Sequence, residues 1–162
     1  MLDRLQSVEP QSWEGVAFRH MWLDYRPDRE NTRGARWNPP DVRAIYLSLS
    51  RKGVLAEAEH QIAMQPVPPR GRRTVYKVQI APSAALDLTH DAVLSELGIG
   101  HEELAADDMG ACQEVGGAAA WLEADGILVP SARAEAVNLV IYPSNASPDY
   151  SFDVLDEDVI SE

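Results

Sequence analysis

A single α+β domain is predicted by three observations: the chain's length, its apolar-to-charged balance, and an irregular succession of strand-like and helix-like stretches. At 162 residues there is enough chain for one hydrophobic core and too little for two ordinary ones. Hydrophobic residues make up 45% and charged residues 25%, a balance that excludes a disordered chain.

Trp13–Arg19 alternates loosely and predicts an early strand. Residues 26–41, rich in arginine and proline, predict an ordered loop rather than a helix. Ala44–Ser48 reads as a short buried strand. From about Arg51 to Met64 the pattern turns helical, with Val54, Ala58 and Ile62 on one face and Leu55 on the adjacent row. Gln65–Gly71 ends that helix with three prolines. Thr74–Ile80 and Ala85–Leu88 predict two more strands, and Thr89 a capped helix through Leu97. A further helix is predicted from about Ala111 to Glu123, weakened by Gly116-Gly117. Asp125-Gly126 turns into a strand at Ile127–Val129, and Asn138–Tyr142 makes the last one. The expected total is several short strands and three or so helices, with no internal repeat.

The formal net charge is −12, from 26 acidic and 14 basic residues, which argues against direct nucleic-acid binding. An acidic protein still binds an anion where a few arginines converge in one cleft. Six of them, Arg19, Arg26, Arg29, Arg33, Arg36 and Arg43, fall in the first third. The acidic end of the chain (Asp149, Asp153, Asp156, Glu157, Asp158, Glu162) is expected to be a solvated terminus. No apolar run reaches bilayer-spanning length and the first residues lack a signal-peptide pattern. The lone cysteine, Cys112, rules out an internal disulfide framework and is expected in the core. A cytoplasmic protein is expected.

Four features stand above this background. Arg36 sits between a glycine turn and a stiff Trp37-Asn38-Pro39-Pro40 run, so its planar fork is held ready for a phosphate or carboxylate. Tyr46 lies in an apolar strand, placed either to pack in the core or to stack on a flat heterocycle. Glu57 borders the apolar stripe of its helix, while Glu59 points elsewhere. Ser131 follows a strand directly, where its hydroxyl and the turn's N–H groups are able to meet a ligand. Each has an ordinary structural explanation on its own. His20, His60, His90 and His101 show no metal-ligand spacing and are expected to be surface or satisfied histidines, so no metal is expected. Neither a phosphate-binding Gly-rich loop nor a nucleophile elbow is present.

In order and spacing, these features resemble the RES family. The residues that carry the resemblance are Phe18-Arg19, Gly34–Trp37, Tyr46, Ala56-Glu57, Leu86–Thr89, Asp125–Ser131 and Asn138–Tyr142. Relatives often have an aromatic where His20 stands. The resemblance implies a fold similar to the ADP-ribosyltransferases: short, mostly antiparallel strands in a split or curved sheet with three or four flanking helices. It implies residues 13–145 as the domain, 1–12 as a lead-in and 146–162 as an acidic segment.

The resemblance also implies the toxin of a toxin–antitoxin pair, whose partner antitoxin carries a helix-turn-helix domain, and NAD⁺ as substrate. Glu57, Arg36, Tyr46 and Ser131 are the implied catalytic residues. Arg19, Asn38 and Ser48 join Arg36, Tyr46 and Ser131 as implied cofactor contacts. Transfer of ADP-ribose to a cellular protein is placed first, on the strength of the arginine-rich loop as a docking surface. Hydrolysis or phosphorolysis of NAD⁺ follows, with a non-catalytic binding module as the alternative of another class.

Overall fold

In a computed structural model, residues 1–22 and 25–160 are described. They form an α+β domain on one seven-stranded sheet, in the order β4-β5-β6-β2-β1-β3-β7. The strands are β1 (Gly15–Trp22), β2 (Ile45–Ser48), β3 (Arg73–Ala81), β4 (Ala85–Asp87), β5 (Gly126–Pro130), β6 (Val137–Ile141) and β7 (Ser151–Ile160). All neighbours are antiparallel except β4 and β5. A parallel pair needs a long crossover. Here it is supplied by α3 (Asp91–Glu96), α4 (His101–Ala105) and α5 (Gly110–Trp121). Two further helices, α1 (Leu2–Gln6) and α2 (Arg51–Ala63), complete the described elements, apart from a 3-10 turn at Pro143–Asn145.

Strand alternation divides the core into two layers. On β6, Leu139 and Ile141 join Ile45, Leu47, Val78 and Ile80 on one face. Val140, with Tyr142 just beyond, joins Leu86, Ile127, Val115 and the buried Cys112 on the other. Ser50 caps α2 by accepting the Gly53 N–H at 2.9 Å. Of the face expected for that helix, Val54 and Ala58 are buried and Ile62 is partly so.

The sheet, expected to be split or curved, is continuous but parts at its centre. β1 and β2 share a single ladder pair, Phe18 with Ser48. Beyond it, Arg19–Trp22 continue along β3 and Ile45–Leu47 along β6, so the two halves of the sheet separate.

Three expectations are corrected. Helix α3 begins at Asp91 with His90 before it, because the Thr89 hydroxyl is engaged by Asp87 rather than by the helix. Helices α1 and α4 are additional; both have only five residues, too short to show a hydrophobic period. The acidic end of the chain is not a free terminus but edge strand β7, paired along the whole of β3. Its side chains mostly face water, and Lys77 stands across from Asp156 while Arg51 pairs with Asp158. Charged residues on an edge strand deter pairing with another sheet, which also hides the strand from propensity reasoning. No described helix is long and apolar enough to cross a membrane.

Candidate active site

The split between β1 and β2 opens into a cleft of about 460 Å³, roofed by α2. Its lining takes Arg19 and His20 from β1, Tyr46 and Ser48 from β2, Glu57 and His60 from α2, and Arg36, Arg133 and Asn138 from the surrounding loops and β6. Arg19, His20, Tyr46 and Leu47, which β1 and β2 leave unpaired with each other, thus meet the cleft together with Ser48.

Glu57 is pinned. Its Oε1 accepts a hydrogen bond from Ser131 Oγ at 2.6 Å and a longer one from Asn138 Nδ2 at 3.4 Å. Ser131 Oγ also accepts the Arg133 N–H at 3.2 Å, so its hydroxyl is committed on both sides. The serine therefore aims the carboxylate, leaving Oε2 for a ligand. Glu59, by contrast, is exposed and pairs with Arg73 at 3.0 Å, so of the two helix glutamates it is Glu57 that lines the cleft, where Asp107 is a second carboxylate.

Arg36 is held by backbone, not by an acid. Gly34, at φ 95°, turns the chain ahead of it. The guanidinium then donates to Glu103 O at 3.1 Å and Ala106 O at 2.8 Å, at the C-terminal end of α4. Carbonyls orient the fork without neutralising it. Arg19 is similarly fixed by Pro27 O at 2.8 Å, and burial lowers its pKa to about 10. The cleft thus carries Arg19, Arg36 and Arg133 inside a protein of net charge −12. Of the other early arginines, Arg26 pairs with Asp28, Arg43 with Glu30, and Arg29 lies over the Tyr25 ring.

Tyr46 lines the cleft with its ring and braces the loop with its hydroxyl. Its oxygen accepts the Trp37 N–H at 2.9 Å and its O–H donates to Asn38 Oδ1 at 2.5 Å. Desolvation raises its pKa far beyond the neutral range, so it remains a donor. Asn38 itself is 0% exposed and does not line the cleft. Its Nδ2 reaches Val42 O at 2.7 Å and Asn31 Oδ1 at 3.3 Å, which makes it a brace of the loop rather than a direct contact. Tyr46→Phe is expected to destabilise the fold by about 1–3 kcal/mol, because both Trp37 N–H and Asn38 Oδ1 lose a partner inside the protein. Urea denaturation measures this; stability equal to wild type would show that the loop does not depend on the hydroxyl.

Sequence reasoning passed over three cleft residues. His20, expected to be a surface or satisfied histidine, is half-buried, and its Nε2 has no partner among the described residues. Burial first, and the Arg73 charge second, lower its pKa, while Glu59 opposes them. The imidazole is therefore neutral at neutral pH. Arg133 was signalled only by its place two residues after Ser131. Asn138 was read as part of a strand, where a single polar residue among Leu139, Val140 and Ile141 was the available clue. Among the described residues no cluster of His, Cys, Asp and Glu is arranged to hold a metal.

With its α+β sheet parted at the centre over a cleft that Glu57 and Arg36 line, this chain falls in a defined class. It belongs to the RES domain family, whose model matches residues 4–158. Among curated relatives, the NAD(+) phosphorylase MbcT of Mycobacterium tuberculosis (strain ATCC 25618 / H37Rv) and that of Mycobacterium bovis are each 31% identical over 120 residues. That match takes in 71% of this chain and 64% of the relative, so it spans just under two thirds of the relatives' length. Among solved structures, a chain of the crystal structure of the M. tuberculosis MbcT–MbcA toxin–antitoxin complex matches with a TM-score of 0.87 at 25% identity. The match covers 99% of this chain and 91% of that one.

Proposed function

We propose that this chain is the toxin of a toxin–antitoxin pair and destroys NAD⁺ by cutting its nicotinamide–ribose bond, passing ADP-ribose to phosphate or water. The observation that carries the reading is the Glu57 carboxylate, held by Ser131 in a cleft lined by Arg19, Arg36 and Arg133. Cleavage of that bond passes through an oxocarbenium-like state, and a fixed carboxylate stabilises the positive charge as it forms on the sugar. Nicotinamide departs as a neutral ring, so no strong general acid is required. Arg19 and Arg36 suit the pyrophosphate, and the Tyr46 ring suits a flat heterocycle.

Phosphorolysis or hydrolysis is favoured over transfer to a protein. The expected docking surface for a protein acceptor was the loop at 26–41. Its later part, residues 35–38, instead folds inward, with Trp37 2% and Asn38 0% exposed and Ala35 O bonded to Gln113 Nε2 at 3.0 Å, while Arg26, Arg29 and Arg33 stay exposed. That segment is a wall of the cleft. Arg133, two residues from the serine that holds Glu57, suits an anionic acceptor, and the MbcT relatives carry the name NAD(+) phosphorylase. The corresponding setting is the cytoplasm, with a helix-turn-helix antitoxin that covers the cleft.

The deciding experiment incubates the purified chain with labelled NAD⁺, with and without phosphate, and separately with cell lysate. Nicotinamide release with ADP-ribose 1″-phosphate as co-product supports phosphorolysis; free ADP-ribose alone supports hydrolysis. A labelled protein band would move the reading back to transfer. No nicotinamide release under any condition would leave a non-catalytic module.

A further inference from the structure

The cleft has a direction, set by the register of its strands. At its closed end β1 and β2 still pair, through Phe18 and Ser48, and Ser48 stands opposite Asn138, which reaches Glu57. Arg19 follows Phe18 just past that point. Tyr46 is two residues from Ser48 along β2, roughly 7 Å toward the open end. Its hydroxyl takes the Trp37 N–H, so Arg36 stands beside it, and Arg36 is tied in turn to Ala106 O. The next residue, Asp107, lines the cleft as well. Helix α2 runs the same way, because Glu59 reaches Arg73, which is in register with Trp22 at the far end of β1. Met64, two turns past Glu57, therefore lines the open end. From closed end to open end the order is Glu57, Arg19, Arg36 and Asp107.

Asp107 is exposed to solvent and forms no ion pair among the described residues, not even with the neighbouring Arg36. Asp108 beside it is spent on the Gly110 N–H at 2.9 Å, so Asp107 is the acid left to face the cleft. A free carboxylate next to an anion-binding fork weakens the pull on a lone phosphate. It suits a ligand that carries hydroxyls directly after its phosphates, since a carboxylate only accepts hydrogen bonds and has two oxygens to meet a vicinal diol. A reacting ribose, a pyrophosphate and then a second ribose diol is the order of groups in NAD⁺.

Building on the NAD⁺-cleaving reading above, we propose that Asp107 selects NAD⁺ over its 2′-phosphate, NADP⁺. With the reacting ribose at Glu57 and the pyrophosphate at Arg19 and Arg36, the adenosine ribose falls at Asp107, whose carboxylate accepts the 2′- and 3′-hydroxyls. Met64 and Met109, which line the same end, give the adenine an adaptable apolar surface. NADP⁺ brings a phosphate to that 2′-oxygen, so it loses a hydrogen bond there and sets like charges together. An acidic residue reads the ribose in the same way in doubly wound dinucleotide-binding folds.

The test uses the purified full chain and two variants, Asp107→Asn and Asp107→Arg. Each is read by nicotinamide release from NAD⁺ and from NADP⁺, by calorimetric binding of ADP-ribose and of its 2′-phosphate, and by thermal melting. Wild type is expected to favour NAD⁺ about tenfold or more in kcat/KM, and to favour ADP-ribose over its 2′-phosphate in the same sense. Asp107→Asn is expected to narrow both preferences roughly tenfold, and Asp107→Arg to reverse them. The side chain is exposed, so both variants are expected to melt with the wild type. A wild type that takes the two dinucleotides equally, or variants whose preference stays within about twofold of wild type, would overturn the proposal. If the wild-type chain released no nicotinamide from either, the NAD⁺-cleaving reading would fall, and the two affinities in wild type and variants would decide the role of Asp107 by themselves. Binding of neither ligand would overturn both.

Discussion

Replacing Glu57 by glutamine is expected to lower nicotinamide release about a thousandfold while leaving the fold intact. The loss follows from the charge. Glutamine has the same shape, and its amide oxygen is still able to accept the Ser131 hydroxyl, so the 2.6 Å contact and the helix around it survive. What disappears is the negative charge facing the cationic sugar, and removing one preorganised electrostatic partner costs on the order of a hundred- to a thousandfold in rate. Steady-state nicotinamide release, with melting curves as the control, measures the effect. A glutamine variant that kept a tenth or more of wild-type activity would show that Glu57 is not the stabilising carboxylate. Ser131→Ala is expected to fall between the two, since it frees the carboxylate to rotate without removing its charge.

The second large effect is expected from Gly116→Ala, a residue that does not itself line the cleft. Helix propensity alone predicts a gain of about 1 kcal/mol for alanine over glycine inside a helix. The structure opposes it, because a Cβ at Gly116 would lie 1.8 Å from Trp37 O and 2.9 Å from the Tyr142 hydroxyl. Both belong to one buried contact, in which Tyr142 donates to Trp37 O at 2.9 Å. Neither partner has room to retreat: Trp37 is 2% exposed and Tyr142 1%. Overpacking and the strained hydrogen bond together outweigh propensity, for a net destabilisation of roughly 3 kcal/mol. In a domain of this size that is a fall in melting temperature of about 10 °C. The loop that carries Arg36 shifts with Trp37, so nicotinamide release is expected to drop as well. Denaturation of the purified variant decides the matter, and a more stable Gly116→Ala protein would mean that the loop does not lie against α5.

Gly116 also shows where reading the chain in one dimension misleads. A glycine pair inside a helical stretch reads as a weak helix, yet α5 runs unbroken from Gly110 to Trp121. The glycine is there for what packs on the helix. Strand β7 is the opposite case. Its acidic residues have poor strand propensity, and only pairing with β3 and the positive charge of Lys77 and Arg51 places them in the sheet.

The longer or more apolar elements, among them α2, β3 and β6, were legible from the residues, and so was the class of the fold. Arg36, Tyr46, Glu57 and Ser131 were picked out by order and spacing rather than by any one of them, and the fold gathers them at or beside one cleft. What each does was not legible, because hydrogen-bond partners are set by residues distant in the chain. The Ser131 hydroxyl goes to Glu57, 74 positions away, and Arg36 is held by carbonyls 67 and 70 positions away. Asn38 moved from an expected ligand contact to a buried brace, and His20 and Asn138 entered the cleft, for the same reason. Local pattern determines which stretches become strands and helices, since it acts through periodicity and propensity. Only the tertiary structure decides which side chains converge, because the split between β1 and β2 exists only once the sheet has formed.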